Sequence, residues 1–290
     1  MTKEAIKKEN KSVLKVPKSI LFTGKLLQLF SLKLVAKFAA RLFITPFKHA
    51  IPRREFSMDK ESKQTFLNLP HSKKQICVYK FGTSQKKILL VHGWSGRGTQ
   101  LVKFAEKLVA LGYQTISFDA PAHGKATGKT TDIKEFIEAA LFLSKKYGPF
   151  YGAIGHSLGG MTLLNAIAQG MITRKIVIIG SGDIVTDIMD DFIRNLELRP
   201  QVRFLMQDIF EKRTNELMND YSASKAAKFV NIPVLVIHDK DDKEVSVKCA
   251  YHLHENLSKS EIFITSGLGH RKILGNGTVV DKTMQYINRT

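Results

Sequence analysis

Residues 151–160 read YGAIGHSLGG, and the fold turns on how this stretch is interpreted. The run Tyr151 to Gly155 predicts a short strand, and the segment from Leu158 to Gly170 predicts a helix, so Ser157 stands at the joint between them. Gly155 and Gly159 lie two positions to either side of it. A sharp strand-to-helix turn presses the serine backbone against its neighbours. Side chains at the flanking positions would clash, and the turn leaves the hydroxyl exposed at the start of the helix.

Working outward from this turn, β-branched runs alternate with amphipathic segments from residue 75 onward. The predicted strands are 75–81, 87–92, 114–118, 151–155, 175–180, 233–238 and 261–265. Thr99 is positioned to cap a helix ending at Gly112, and Asp132 opens one ending at Gly148. This rhythm predicts an α/β fold with a mostly parallel central sheet flanked by helices. It breaks at 183–230, where no strand pattern occurs and a structureless loop would be too long for a compact domain. That stretch is expected to form a small helical cap over the carboxyl ends of the strands, where open α/β sheets bind ligands.

Three further features fall at the carboxyl ends of predicted strands. His92-Gly93-Trp94 follows ILLV, and the backbone amides of Trp94 and Leu158 are the expected oxyanion hole. The acidic loop Asp239-Lys240-Asp241-Asp242 follows VLVIH, and Gly267-Leu268-Gly269-His270 follows EIFIT. Serine, aspartate and histidine thus occur in the chain order of a nucleophile, an orienting acid and a general base. His238 precedes the acid loop too closely to serve as the base. His252 and His254 point to different faces of one helix.

On these residues the chain resembles the α/β-hydrolase superfamily over roughly 75–290, with the first 74 residues outside the resemblance. The resemblance implies a serine hydrolase with Ser157, Asp242 and His270 as catalytic residues, and with no metal or organic cofactor. Asp119-Ala120-Pro121-Ala122-His123-Gly124 resembles the family's D-x-P-x-H-G loop, so His123 is read as structural. The family's acid loop often reads G-x-x-D-x-x-V-P, whereas this chain has Asp239 for the glycine and Ser246 for the proline. Counting back from Val245 selects Asp242 and leaves Asp241 as a rival. Serine at the turn disfavours the dehalogenase and epoxide-hydrolase branches, which need a carboxylate there. The expected substrate is a small-molecule carboxylic ester. Thioesters, lactones and C–C bonds are alternatives on the same residues, as is a non-catalytic binding protein on the same scaffold. Arg97, beside the oxyanion loop, is read as an exposed loop residue, with an anionic substrate group as its other reading.

The formal charge is +19, and residues 1–74 hold 17 Lys+Arg against 5 Asp+Glu. Such asymmetry points to an anionic surface, and the absence of zinc-finger spacing or an RNA-binding sheet signature argues against nucleic acid. Two distant cysteines, Cys77 and Cys249, suggest neither a disulfide framework nor a metal site. No secretory leader pattern is apparent, and a cytoplasmic protein is expected, peripheral on the inner membrane face if the basic arm binds lipid. Residues 1–50 read as that arm and 51–290 as the hydrolase domain. Within 19–47 the charges forbid a membrane span. Lys33, Lys37 and Arg41 instead form one helical stripe opposite Leu34, Val35, Phe38, Ala39, Leu42 and Phe43, ending before Pro46. The apolar face has three candidate covers: an anionic membrane, the protein's own domain or a second subunit. The sequence leaves the oligomeric state open.

Overall fold

The computed structural model describes residues 16–289, so residues 1–15 of the basic arm and Thr290 lie outside it. Two helices come first, α1 (Lys18–Phe30) and α2 (Leu32–Phe43), followed by the short α3 (Phe56–Glu61). Strands β1 (Lys63–Asn68), β2 (Gln75–Phe81) and β3 (Lys87–Val91) lead to α4 (Val102–Ala110), β4 (Gln114–Asp119) and α5 (Ile133–Tyr147). Then come β5 (Gly152–His156), α6 (Leu158–Ala168), β6 (Ile176–Ile179) and three helices, α7 (Val185–Asn195), α8 (Gln201–Thr214) and α9 (Ala223–Ala227). The chain closes with β7 (Val234–Asp239), α10 (Lys248–Asn256), β8 (Ser260–Thr265), α11 (Gly269–Lys272) and α12 (Gly277–Asn288).

Among the described residues, eight strands make one sheet in the order β1-β2-β4-β3-β5-β6-β7-β8. The pairs β1–β2 and β2–β4 are antiparallel and the others parallel. Central strands are apolar on both sides because both faces are covered. Leu89, Val91, Ile176 and Ile178 face one core with α5 and α6, while Ile88, Leu90, Val177 and Ile179 face the other with α4 and α12. All the strands drawn from the sequence are present, with ends shifted by one residue at most. Strand β1 is an addition. Its KQTFLN is an exposed, largely polar edge paired only with β2, so it carries little apolar signal.

The single helix expected within 19–47 is two. Ser31 adopts an extended conformation (φ −163°, ψ 128°), and its hydroxyl accepts from the Leu34 amide at 3.4 Å, capping α2 and ending α1. The apolar face of α2 is covered by the chain itself. Val35, Ala36, Ala39 and Ala40 are buried, and α2 packs on α8 through Val202, Met206 and Phe210. Phe43 lies edge-on to Phe192 of α7, with ring centroids 5.1 Å apart. Small alanines let the two helix backbones approach closely, and the lysine stripe is left outward. Beyond α2 the chain runs along the carboxyl end of the sheet. The Thr131 amide donates to the Ile44 carbonyl (2.9 Å), and the Phe47 amide to the Ser95 hydroxyl (3.0 Å).

Candidate active site

Ser157 joins β5 to α6 at φ 54°, ψ −118°, a conformation costly for any residue with a side chain. The flanking glycines are there for space. A Cβ on Gly155 would sit 2.4 Å from the Gly159 carbonyl oxygen, and one on Gly159 would sit 2.2 Å from that of Val91. Backbone cannot yield as a side-chain tip can, so both positions exclude a larger residue.

The histidine loop comes from the end of β8 and the acidic loop from the end of β7. His270 turns Nδ1 to Asp242 Oδ2 at 2.7 Å. The other Asp242 oxygen accepts the amides of Glu244 (2.8 Å) and Val245 (2.9 Å). Burial pushes the Asp242 carboxyl up, but His238, His270 and the Val245 amide together outweigh it and hold the group well below the usual carboxylate range. Asp242 therefore carries its negative charge against the imidazole. Asp241 has a different task, accepting the Gly267 amide at 2.8 Å.

The His270 loop is tied to the serine turn through His156, the last residue of β5. The His156 and His270 rings lie 4.7 Å apart, and His156 Nε2 donates to the His270 carbonyl at 3.0 Å. Ser157 Oγ and His270 Nε2 form no hydrogen bond to each other in this structure. Such contacts often tighten only when substrate is bound. Among the described residues, neither the Trp94 nor the Leu158 amide has an acceptor within the protein. Two free donors beside a strained serine form the arrangement that an oxyanion requires.

For three residues in this region the sequence reading missed the contacts. Asp239, standing where the family pattern has glycine, accepts the Asp241 and Gly269 amides (both 3.0 Å) on Oδ1, and the Leu268 amide (3.1 Å) and Thr265 hydroxyl (2.7 Å) on Oδ2. Asp239→Ala strands these four donors and is expected to cost about 2–4 kcal/mol in urea unfolding. The His270 loop should loosen with it, because Asp239 moors the amides of residues 268 and 269. His238 is fully buried, with Nε2 3.0 Å from the Val245 carbonyl and 3.5 Å from Asp242 Oδ2, the same oxygen that His270 Nδ1 meets. Glu55 is buried and accepts the Thr99 hydroxyl at 2.8 Å. It also lies 3.6 Å from Arg97 Nε, so Arg97 is a buried, paired residue and not an exposed one. The sequence could not give this, because the partner sits 42 residues upstream in a segment with no strong pattern.

Two neutral histidines brace the loop that carries Trp94. His123 donates from Nδ1 to the Pro121 carbonyl and accepts the Ser95 amide on Nε2, both at 3.0 Å, and its ring meets Trp94 edge-on. His92 donates to the Gly93 carbonyl (2.7 Å) and accepts the Ala120 amide (3.1 Å). Burial pushes His123 down to about 4 and His92 well below its ordinary value. Burial, with the His270 charge second, takes His156 down to about 3. The unfolded chain binds protons at these positions below about pH 6.5 while the folded protein does not, so stability falls as pH drops from 6.5 toward 4. For His123 alone the loss at pH 5 is about 2 kcal/mol. A Tm series from pH 7 to 5 should fall steeply, and His123→Gln should flatten it. Asp119 fixes the same rim, accepting the amides of Gly98 and Lys125 (2.7 Å each) and the Tyr79 hydroxyl (2.9 Å). Neither cysteine competes as a nucleophile. Burial pushes the Cys77 thiol up to about 11 and that of Cys249 up to about 12, so both stay protonated.

A family model described as the alpha/beta hydrolase fold matches residues 86–217. The chain is 24% identical over 250 residues to a 2-hydroxy-6-oxo-6-(2'-aminophenyl)hexa-2,4-dienoic acid hydrolase of Metapseudomonas resinovorans, covering 70% of this chain and 84% of that one. Among solved structures it is similar to an esterase of Pyrococcus furiosus (TM-score 0.65, 16% identity, 85% of this chain and 97% of that one). It is also similar to a bromoperoxidase of Bacillus anthracis (TM-score 0.60, 16% identity, 78% of this chain and 99% of that one). With its mostly parallel eight-stranded sheet and a serine at the strand-to-helix turn, the chain has the α/β-hydrolase fold that this family model describes.

Proposed function

We propose that the protein is a serine hydrolase that cleaves a carboxylic ester through an acyl-enzyme. The observation that carries this reading is the serine held at φ 54° next to two amides, of Trp94 and Leu158, that have no acceptor among the described residues. A binding module has no need of such strain. His270 Nε2 takes the Ser157 hydroxyl proton as Oγ attacks the ester carbonyl, while Asp242 holds the proton-bearing Nδ1 and stabilises the imidazolium. The carbonyl oxygen, now an anion, is bound by the two amides. Collapse of the tetrahedral intermediate breaks the acyl–oxygen bond, and His270 returns the proton to the departing alcohol. Water then repeats the sequence on the acyl-serine, with His270 as base, and releases the acid.

Two observations bear on the substrate. Solved esterases are among the structures this chain is similar to. In addition, Arg97 is engaged by Glu55, which takes away a cation that an acidic substrate would need beside the oxyanion loop. The first is in keeping with an ester, and the second with one that carries no acidic group there. The test is labelling with a fluorescent phosphonate, wild type against Ser157→Ala, beside turnover of short- and long-chain esters and matching thioesters. Labelling and ester turnover by wild type alone support the proposal. Labelling of neither form removes the enzyme reading, and turnover confined to thioesters replaces the ester.

A further inference from the structure

The helix preceding the domain, α1, is held to the protein along one side only. Lys25 pairs with Glu197, Gln28 Oε1 accepts the Arg199 amide at 2.6 Å, and buried Gly24 lies against Leu198. These contacts fix α1 on the loop between α7 and α8, so its outer side is a defined surface and not the accident of a loose helix. That outer side is apolar. Phe22 is 69% exposed, Leu29 and Phe30 77% each, with Leu26 on the same helical face, and Leu34 on α2 is exposed as well. None of these side chains is needed by the core.

The charge around the patch is positive. Lys18, Lys33, Lys37 and Arg41 are exposed on α1 and α2, and residues 1–50 as a whole carry 11 Lys+Arg against 2 Glu. A second copy seated on this face would bring two such cationic arms together, and a nucleic acid offers anions without an apolar layer to receive Leu and Phe. A bilayer with acidic headgroups supplies both, the anions at the surface and hydrocarbon just beneath. Lysine stems can lie along the apolar patch while their ammonium groups stay among the headgroups.

We infer that the outer face of α1, through Phe22, Leu26, Leu29, Phe30 and Leu34, docks the protein in the plane of an anionic lipid surface. This face differs from the one the sequence suggested, since Val35 and Ala39 of α2 are buried where that helix packs on α8. The inference is independent of the reaction catalysed. Among the described residues no helix is long and apolar enough to cross a membrane, so docking is superficial. The chain then continues directly from α2 to Phe47, whose amide is bonded to Ser95 beside Trp94, so the docked arm leads straight to the site's rim.

The test is co-sedimentation of the full chain with vesicles of phosphatidylcholine alone or mixed with phosphatidylglycerol. Binding is expected only to the mixed vesicles, weaker at high salt. The double variant Leu29→Glu, Phe30→Glu should bind about tenfold less or worse. Both positions are exposed, so circular dichroism and Tm should be unchanged. Deleting residues 1–50 would be a poorer test because it strips α2 from the cap. Absence of binding to the mixed vesicles, or equal binding by the double variant, overturns the inference. So does a dimer in light scattering that the double variant dissolves, since a second copy would then cover the face.

Discussion

Asp242→Asn is expected to lower kcat by about 10⁴-fold while leaving the fold intact. The asparagine oxygen can still accept the Glu244 and Val245 amides, so the loop keeps its shape. The amide nitrogen then faces His270 Nδ1, where only an acceptor can answer it. The imidazole must move its proton to Nε2, and in that tautomer it cannot receive one from Ser157. Asp241→Asn is the matched control. Its carboxylate touches the Gly267 amide and not the imidazole, so kcat should stay within about tenfold of wild type. Steady-state kinetics on whichever ester the panel identifies, with urea unfolding beside them, separate the two neighbours. A large loss in Asp241→Asn and a small one in Asp242→Asn would reassign the acid.

The second large effect concerns Ser157 itself. Ser157→Ala removes the attacking oxygen and should cut kcat by about 10⁴-fold or more, leaving what the two amides and substrate binding provide. Ser157→Gly should abolish turnover equally and in addition stabilise the protein. At φ 54°, ψ −118° a side chain is strained and glycine is not, so relief of about 1–2 kcal/mol is expected in urea unfolding. Alanine keeps the Cβ and therefore most of the strain. A glycine variant no more stable than the alanine one would mean that the turn stores no energy at this residue.

Much of this was legible in the sequence for a physical reason. The central strands are buried on both faces and read as continuous apolar runs, and Asp132 caps its helix with the oxygen that the pattern required, accepting the Lys134 and Glu135 amides. Gly155 and Gly159 are dictated by backbone proximity that any such turn shares. The illegible parts depend on what a residue meets across the fold. Edge strand β1 has one neighbour and no apolar face to advertise. Ser31 divides a helix because α1 leans on the loop between α7 and α8 while α2 leans on α8 itself, a tertiary demand that helical periodicity does not encode. Arg97 looks like a loop cation until Glu55 is brought beneath it. Asp239 looks like a flaw in the family pattern until the amides of residues 268 and 269 are seen to end on it.

That last feature bears on how such a protein can be altered. The segments 239–242 and 267–270 are laced by Asp239, Asp241 and Asp242, each gripping a different point of the opposite segment. They amount to one mechanical piece assembled from two stretches of chain. Exchanging either alone with a relative whose acid loop begins with glycine would leave half a clasp, so chimeras should carry both or neither. The helices of 183–230 make none of these contacts, so they can be altered by mutation without loosening the clasp.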